Sequence, residues 1–258
     1  MPTAKNRKYV AARELVHGLI GELIAQRRGL DEAKWPDDLL SRLMKARDED
    51  TGQAMSESLL RDESITTFFA GHETTARTMT FAWYALATNP QVTARLQEEL
   101  DRVLGGRVPT ADELRQLPYT LQVIKEVLRL YPAAPFYVRD AVGADQLNGF
   151  DVPAGAAVML SPYYTHRHPQ VWDDPEVFDP DRWTREREAA RHAYAYHPFA
   201  AGQRICIGNN FSLLESHLLL AMLAQRFTPR LRAGFTPQWA MQGTLGTSNG
   251  MPMVIAAR

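Results

Sequence analysis

The 258-residue sequence contains a single cysteine, Cys206, so no disulfide can form within the chain. Secreted scaffolds of small size depend on several disulfides, and their absence predicts a reducing, cytoplasmic setting. The sequence also lacks an unbroken apolar run of about 20 residues, the length needed to cross a bilayer. Its N-terminus lacks the apolar segment of a signal peptide. We therefore expect no membrane span in this chain.

Neither sign of charge predominates in the sequence. Twenty-nine Lys and Arg residues stand against thirty Asp and Glu residues, which gives a net charge of -1. A balance of this kind provides no general field that attracts nucleic acid, so we expect no nucleic-acid partner. Hydrophobic residues make up 45% of the chain and charged residues 23%, as in a folded globular protein. A disordered or fibrous chain is excluded.

The hydrophobic pattern predicts a mainly α fold with a small β portion. Apolar residues at helical spacing predict a first helix that ends at about Gly29. Further helices are expected where Pro and Gly residues mark the ends of apolar segments, at about 37–47, 56–88, 90–104, 119–130 and 208–226. From residue 131 to residue 182, frequent prolines and short β-prone segments predict a small β element with ordered loops. Hairpins are expected near the C-terminus.

The long predicted helix at about 56–88 is apolar on nearly all sides, which predicts that it passes through the interior. Its middle nevertheless contains Gly71 and Glu73, residues that are costly inside a buried helix. Violations of this kind are expected at functional sites. A purely structural alternative also explains these polar residues. In it, Glu73 lies on a solvated face, and the Thr74 hydroxyl bonds to a carbonyl one turn earlier.

The segment from Phe199 to Gly208 places the lone cysteine between glycines at the start of the last predicted helix. Free N–H groups and the helix dipole at such a position stabilise a thiolate. Gly202 and Gly208 would let the backbone approach a large flat ligand closely. The alternative is a buried, inert cysteine. A zinc site is disfavoured, because no Cys or His partner stands near Cys206 at ligand spacing.

This segment fits the pattern F-x-x-G-x-R-x-C-x-G, and in this it resembles the heme-binding signature of the cytochrome P450 family. Three further motifs of the family occur in order, at Ala70–Thr75, Lys125–Arg129 and Phe178–Trp183. The resemblance implies a cytochrome P450-like helical fold, truncated at the N-terminus. Residues 1–258 would be a single partial domain with a long central helix at about 56–88 and a heme-binding loop at 199–208. A shortened pocket wall would weaken the binding of heme.

The resemblance also implies how heme b is held. Cys206 is the expected axial ligand of the iron, and the cofactor-binding positions are Phe199, Gly202, Arg204, Cys206, Gly208 and Arg139. Partly buried propionates need cationic partners, and the resemblance assigns them Arg204 and Arg139. Arg139 could alternatively cap a strand end at the surface.

Two further groups of residues take roles by the same resemblance. Glu73 and Thr74 are the expected catalytic pair, in which Thr74 holds water and Glu73 relays protons from solvent. Glu126, Arg129 and Arg182 are expected to form a structural network that locks the loop on the proximal side of the heme. Without the resemblance, Glu126 and Arg129 would be interpreted as a solvated surface pair.

The implied activity is that of a heme-thiolate monooxygenase, which inserts one oxygen atom from O2 into a small apolar organic substrate. Electrons would come from NAD(P)H through a ferredoxin or flavodoxin-type partner, because the sequence contains no flavin- or NAD-binding motif. Two alternatives stay open: a truncated, catalytically silent heme-binding or interaction protein, and a peroxide-driven oxygenase. The substrate is not specified, and its pocket could be lined by Ala70, Ala134, Phe136 and the loop from Thr244 to Met251.

Overall fold

The computed structural model describes residues 3–258. Its helices are α1 (Ala4–Arg28), α2 (Leu39–Lys45), α3 (Glu57–Thr88), α4 (Pro90–Leu104), α5 (Pro118–Leu130), α6 (Pro162–Thr165), α7 (Arg185–Ala189) and α8 (Asn209–Ala224). Its strands are β1 (Tyr137–Asp140), β2 (Asp145–Leu147), β3 (Phe150–Val152), β4 (Ala157–Leu160), β5 (Phe227–Leu231), β6 (Trp239–Gln242), β7 (Thr244–Thr247) and β8 (Met253–Ala257). The predicted mainly α fold with a small β portion is confirmed.

The predicted helix ends lie within about two residues of those observed, and the late start of α2 has a simple cause. α2 begins at Leu39 rather than at residue 37, because the Asp38 side chain accepts a hydrogen bond from the Ser41 N–H at 2.9 Å. Asp38 is therefore the N-cap, and Asp37 directly before it is not helical. Within the described residues, no helix is both long enough and apolar enough to cross a membrane.

The chain divides into two compact units, one up to His72 and one from Glu73 to Arg258. The first unit has a small core formed by Ile20, Ile24 and Leu60. Phe68 and Phe69 are 55% and 48% exposed, so the prediction that α3 is buried on nearly all sides is wrong for this part of the helix. The reason is that the small core reaches α3 only around Leu60 and Ile65.

The second unit holds the main core, in which the last part of α3 packs with α4, α5 and α8. Both α4 and α5 carry an apolar stripe on one face, which is why they pack side by side. The α5 residues Val123, Ile124 and Val127 are completely buried, as are Phe81 of α3 and Leu220 of α8. The helices of this core fix the start of α8 and the segments that lead to it.

The strands form antiparallel pairs, β1 with β4, β2 with β3, β5 with β8 and β6 with β7. Two of these pairs position candidate functional residues. In the first, Arg139 of β1 stands opposite Val158 of β4. In the second, the β6–β7 hairpin is fixed to the core by the Leu245 N–H, which donates to the Ala133 carbonyl at 3.0 Å.

Candidate functional site

The cysteine segment leads directly into α8. Gly208 precedes the first helical residue, Asn209, and the Cys206 N–H donates to the Phe199 carbonyl at 2.9 Å, which closes the loop. The cysteine is exposed. The structure therefore places the sulfur at the N-terminus of a helix of sixteen residues, and it does not fit the alternative of a buried, inert cysteine.

Left-handed backbone is needed at two positions of this loop. Gly202 has φ +73°, which glycine adopts without strain, and Ala200 has φ +60°, which is unusual for a residue with a Cβ. Gly208 is different, because its φ is -86° and an added Cβ would meet the Cys206 sulfur at an ordinary 3.8 Å. The expectation that Gly208 is required for close approach of the backbone is thus supported by neither its φ nor a steric conflict.

Two arginines near this loop are without a carboxylate partner within residues 3–258. Arg139 is half-buried, and its guanidinium lies 4.8 Å from the centre of the Tyr137 ring. Its Nη2 is buried and has no hydrogen-bond partner. Arg204 is exposed in the short 3₁₀ turn Gly202–Arg204. A buried donor without a partner is costly, so Arg139 is suited to an anionic group that completes its hydrogen bonding.

Arg139 is connected to the cysteine segment through two side chains. Beneath its guanidinium, the Tyr137 hydroxyl lies 3.3 Å from Nδ1 of His197. His197 is buried and stands two residues before Phe199, whose carbonyl closes the loop. Burial lowers the pKa of His197, which favours the neutral ring. The connection holds the end of β1 beside the start of the cysteine segment.

Glu73 is held by two neighbours in the second unit. The Thr244 hydroxyl donates to Glu73 Oε1 at 2.9 Å, and Arg77 Nη2 donates to the same oxygen at 3.3 Å. The Glu73 side chain is still 45% exposed, so it also faces solvent. The alternative of a carboxylate on a solvated face did not include these two hydrogen-bond partners. Thr244 begins the loop that was expected to line a pocket, and its bond to the candidate acid was not predicted.

The neighbourhood of Thr74 is tied to α8. The Thr74 carbonyl accepts a hydrogen bond from the Thr78 hydroxyl at 3.0 Å. The next residue, Thr75, is 5% exposed, and its hydroxyl lies 3.4 Å from the Ser212 hydroxyl of α8. Because Ser212 lies in the first turn of α8, this contact brings the candidate catalytic pair and the helix that follows Cys206 into one structural frame.

Arg129 lies at the centre of the predicted structural network. Its Nε and Nη2 donate to the two carboxylate oxygens of Glu126 at 2.9 and 2.8 Å. Its remaining donors reach the carbonyls of His166 and Pro175, and a further bond from Nη2 reaches the Val177 carbonyl at 3.0 Å. Glu126 and Arg129 are both 0% exposed, which rules out the alternative of a solvated surface pair.

Glu126 contacts the third member of the network, Arg182, and accepts hydrogen bonds from two further donors. Arg182 Nε lies 3.4 Å from Glu126 Oε1, close enough for an ion pair although not aligned as a hydrogen bond. The backbone N–H of Asp179 and the indole N–H of Trp183 each donate to Glu126 at 3.0 Å. The three predicted residues are therefore brought together. Trp183 was not assigned a contact from the sequence.

His166 lies outside the motifs found in the sequence, and the structure shows it to be fully buried. Its Nε2 accepts from the His197 N–H at 2.9 Å, so its Nδ1 carries the proton and donates to the Arg129 carbonyl at 3.2 Å. Burial, with a smaller effect of His197, lowers the pKa of His166 to about 3. A neutral imidazole thus connects the network to the segment before Cys206.

Comparison with known proteins agrees with this geometry. The sequence profile of the family "Cytochrome P450" matches residues 1–247. Cyclooctat-9-en-7-ol 5-monooxygenase of Streptomyces melanosporofaciens is 37% identical over 92% of this chain and 51% of its own length. Pentalenene oxygenase of Streptomyces avermitilis is 38% identical over 87% of this chain and 50% of its own. The heme domain of cytochrome P450DA superposes with a TM-score of 0.92 at 32% identity, over 98% of this chain and 55% of that domain.

A helical fold with a cysteine exposed at the N-terminus of α8 has the arrangement expected of a heme-thiolate protein. The chain belongs to the cytochrome P450 family. It spans about half the length of the relatives that it matches. Members of the family bind heme b and use NAD(P)H through redox partners. The residues present fit this cofactor, because Cys206 offers an exposed sulfur and Arg139 offers a buried donor that lacks an acceptor.

Proposed function

We propose that this chain carries the heme-thiolate site of a monooxygenase that inserts one oxygen atom from O2 into an apolar organic substrate. The observation that carries the proposal is the exposed Cys206 sulfur at the start of α8. Heme b, once bound, supplies a redox-active iron whose cysteine ligand favours cleavage of the O–O bond. The names of two relatives, a monooxygenase and an oxygenase, support the same class of activity.

In this proposal the cofactor is held by residues of the cysteine segment and of β1. Cys206 is the iron ligand, and Phe199, Gly202 and Gly208 shape the loop that presents it. Arg139 and Arg204 pair with the propionates. The buried Arg139 Nη2 supports this assignment, because a carboxylate would supply the acceptor that it lacks. The Arg139 contact with Tyr137 keeps the guanidinium beside the segment that leads to Phe199.

Glu73 and Thr74 form the proposed proton-delivery pair. A carboxylate that is 45% exposed can exchange protons with solvent, and Glu73 has this exposure while it stays fixed by Thr244 and Arg77. Thr74 holds a water molecule next to it through its hydroxyl. Removing a well-placed proton donor of this type costs about 10²- to 10⁴-fold in rate. The same pair argues against a peroxide-driven reaction, which needs no proton delivery to O2.

Glu126, Arg129 and Arg182 take a positioning role in the proposal. Their bonds to the carbonyls of Pro175 and Val177 and to the Asp179 N–H fix the loop that precedes the cysteine segment. Through His166 the network also fixes the backbone at His197. These residues are therefore needed for a stable loop rather than for the chemistry.

Electrons reach the site from NAD(P)H through a separate ferredoxin or flavodoxin-type protein that docks near the cysteine segment. The substrate is apolar and organic. The compounds in the names of the two relatives, cyclooctat-9-en-7-ol and pentalenene, are the first that we would test.

The test of the thiolate ligand is a carbon monoxide difference spectrum of the reduced, heme-loaded protein. We expect a thiolate-type Soret band, which Cys206→Ser abolishes. Asn210→Ala is the matched control, because Asn210 is exposed in the first turn of α8 and should leave the band intact. A band that persists in Cys206→Ser would refute the assignment of the ligand.

Turnover with a reconstituted ferredoxin and reductase tests the activity. We expect oxygenated product, and a rate about 10²-fold or more lower in Glu73→Gln. A thiolate band without turnover on any substrate would favour a silent heme-binding protein. Activity that peroxide alone supports, and that neither Glu73→Gln nor Thr74→Ala reduces, would favour the peroxide-driven alternative.

A further inference from the structure

One face of α3 in the second unit is covered by the β6–β7 hairpin. The residues on this face recur about one helical turn apart, which places them in a single stripe: Glu73, Arg77, Phe81 and Tyr84. At one end of the stripe, Phe81 and Tyr84 contact the Trp239 ring at centroid distances of 5.5 and 5.3 Å. At the other end, Glu73 and Arg77 meet β7.

The contact between Arg77 and β7 depends on a glycine. Gly246 is buried, and a Cβ added to it would lie 2.5 Å from Arg77 Nη1 and 2.8 Å from Arg77 Cζ. The guanidinium thus lies directly against the strand backbone, where any side chain would displace it. From this position Arg77 donates to Glu73 Oε1 at 3.3 Å. Gly246 therefore sets the place of the cation that pairs with Glu73.

The contact between Thr244 and Glu73 completes the arrangement. The Thr244 hydroxyl donates to the same oxygen, Oε1, at 2.9 Å, across 171 residues of sequence. Among the described residues, Oε2 of Glu73 receives no hydrogen bond, and the Glu73 side chain is 45% exposed. The strand is itself held in place, because the adjacent Leu245 is 1% exposed and its N–H donates to the Ala133 carbonyl at 3.0 Å.

We propose that Thr244, Arg77 and Gly246 are positioning residues for Glu73: together they hold its Oε1 against the β6–β7 hairpin and direct its Oε2 to the water that it protonates. The hairpin is then part of the proton-delivery apparatus rather than only a wall of the substrate pocket. This inference rests on the proton relay given under the proposed function. Because two donors bind one oxygen, the carboxylate is restricted to one orientation. It is therefore already held in the geometry that proton transfer needs.

The test uses the heme-loaded protein and variants of similar size. Thr244→Val removes the hydroxyl while it keeps the β-branched shape, and Thr244→Ser restores the hydroxyl. Gly246→Ala displaces the Arg77 guanidinium. The matched control is Thr88→Val, since Thr88 is exposed at the C-terminal end of α3, fifteen residues after Glu73, and its hydroxyl donates to the Tyr84 carbonyl at 2.9 Å.

The first readout is the infrared carboxylate band of Glu73, which is assigned by its absence in Glu73→Gln. We expect this band to shift in Thr244→Val and in Gly246→Ala, and to stay at the wild-type frequency in Thr244→Ser and Thr88→Val. This measurement needs neither a redox partner nor a substrate. An unchanged band in both Thr244→Val and Gly246→Ala would overturn the positioning of Glu73, whatever its role in turnover.

The second readout is the amount of product formed per NAD(P)H consumed, together with KM. We expect Thr244→Val to lower the coupled rate about three- to tenfold at unchanged KM, as the loss of one hydrogen bond would. Thr244→Ser should stay within about twofold of wild type. A shifted infrared band with unaltered coupling, or an equal loss in Thr88→Val, would overturn the inference. If Glu73→Gln itself couples normally, the proton relay of the proposed function fails and its positioning has no role in turnover.

Discussion

Arg129 makes the largest number of contacts of any candidate residue, and all its N–H groups take part. The guanidinium has five donors in a fixed planar arrangement. In this chain they reach both oxygens of Glu126 and the carbonyls of His166, Pro175 and Val177. A lysine has three donors on a flexible stem and cannot reproduce this geometry. The role of Arg129 therefore depends on its shape as well as on its charge.

Arg129→Lys should destabilise the protein by about 1–3 kcal/mol, because it leaves buried carbonyls without donors, while Glu126 keeps the donors of Asp179 and Trp183. The measurement is the free energy of unfolding in urea. Arg115→Lys is the control, since Arg115 forms an ion pair with Asp112 at the same spacing but is 83% exposed, and it should change stability by about 0.5 kcal/mol or less. Equal effects of the two variants would contradict the prediction.

Ala200 adopts a backbone conformation that favours glycine, with φ +60°. Ala200→Gly should relieve this strain and stabilise the protein by about 1 kcal/mol, provided that the loop keeps its path. The neighbouring Ala201 has an extended backbone with φ -154° and ψ 166°, so Ala201→Gly should be neutral or destabilising. Thermal unfolding of both variants provides the comparison. A loss of stability in Ala200→Gly would show that the strain is absent.

At the scale of elements, the N-terminus of α5 is capped by a residue of another helix. Its N-cap position, Leu117, has no side chain that can cap it. The buried Glu99 of α4 accepts instead from the N–H groups of Tyr119 and Thr120 at 2.8 and 2.9 Å, and from the Thr120 hydroxyl at 2.8 Å. A carboxylate at this position also opposes the positive end of the helix dipole. α4 and α5 thus depend on each other for their stability.

Glu99→Gln should lower the free energy of unfolding by about 1–3 kcal/mol, because an amide replaces one of the two accepting oxygens with a donor. Urea unfolding followed by far-ultraviolet circular dichroism measures the change. The adjacent Glu98 is exposed, which makes Glu98→Gln a control that should have little effect. The prediction fails if Glu98→Gln and Glu99→Gln unfold at the same urea concentration.

At the scale of the whole molecule, several histidines are buried as neutral rings. Burial lowers the pKa of His166 to about 3, and it lowers the pKa of His197 and of His217. In the unfolded chain a histidine has a pKa of about 6.5. Below that value the unfolded state binds more protons than the folded state, so acid favours unfolding.

Stability should therefore be complete above about pH 6.5 and should fall as the pH decreases toward 3. His166 alone would account for about 2 kcal/mol of this loss at pH 5. Urea midpoints measured from pH 7.5 to 4.5 test the dependence. His166→Gln should flatten it at some cost in stability, while a substitution of the exposed His168 should not. An unchanged slope in His166→Gln would argue against burial of a neutral ring.

The order of the helices, the cysteine at the start of α8 and the small β portion were predictable from the sequence. These features depend on local properties: apolar periodicity, the positions of Pro and Gly, and a motif contained in ten consecutive residues. The exposed Phe68 and Phe69 were not predictable, because an apolar pattern records what can be buried and does not show what packs against it.

What only the tertiary structure decided are the contacts between distant residues. The Thr244 hydroxyl bonds to Glu73, 171 residues away, and Glu99 binds Thr120 at the start of α5, 21 residues away. The buried His166 accepts from the His197 N–H, 31 residues away. Such contacts depend on how elements pack, and no single segment of sequence contains both partners. The sequence thus determined the family and indicated the residues to which we assign its chemistry. Packing decided which neighbours hold those residues in place and which of them are kept from water.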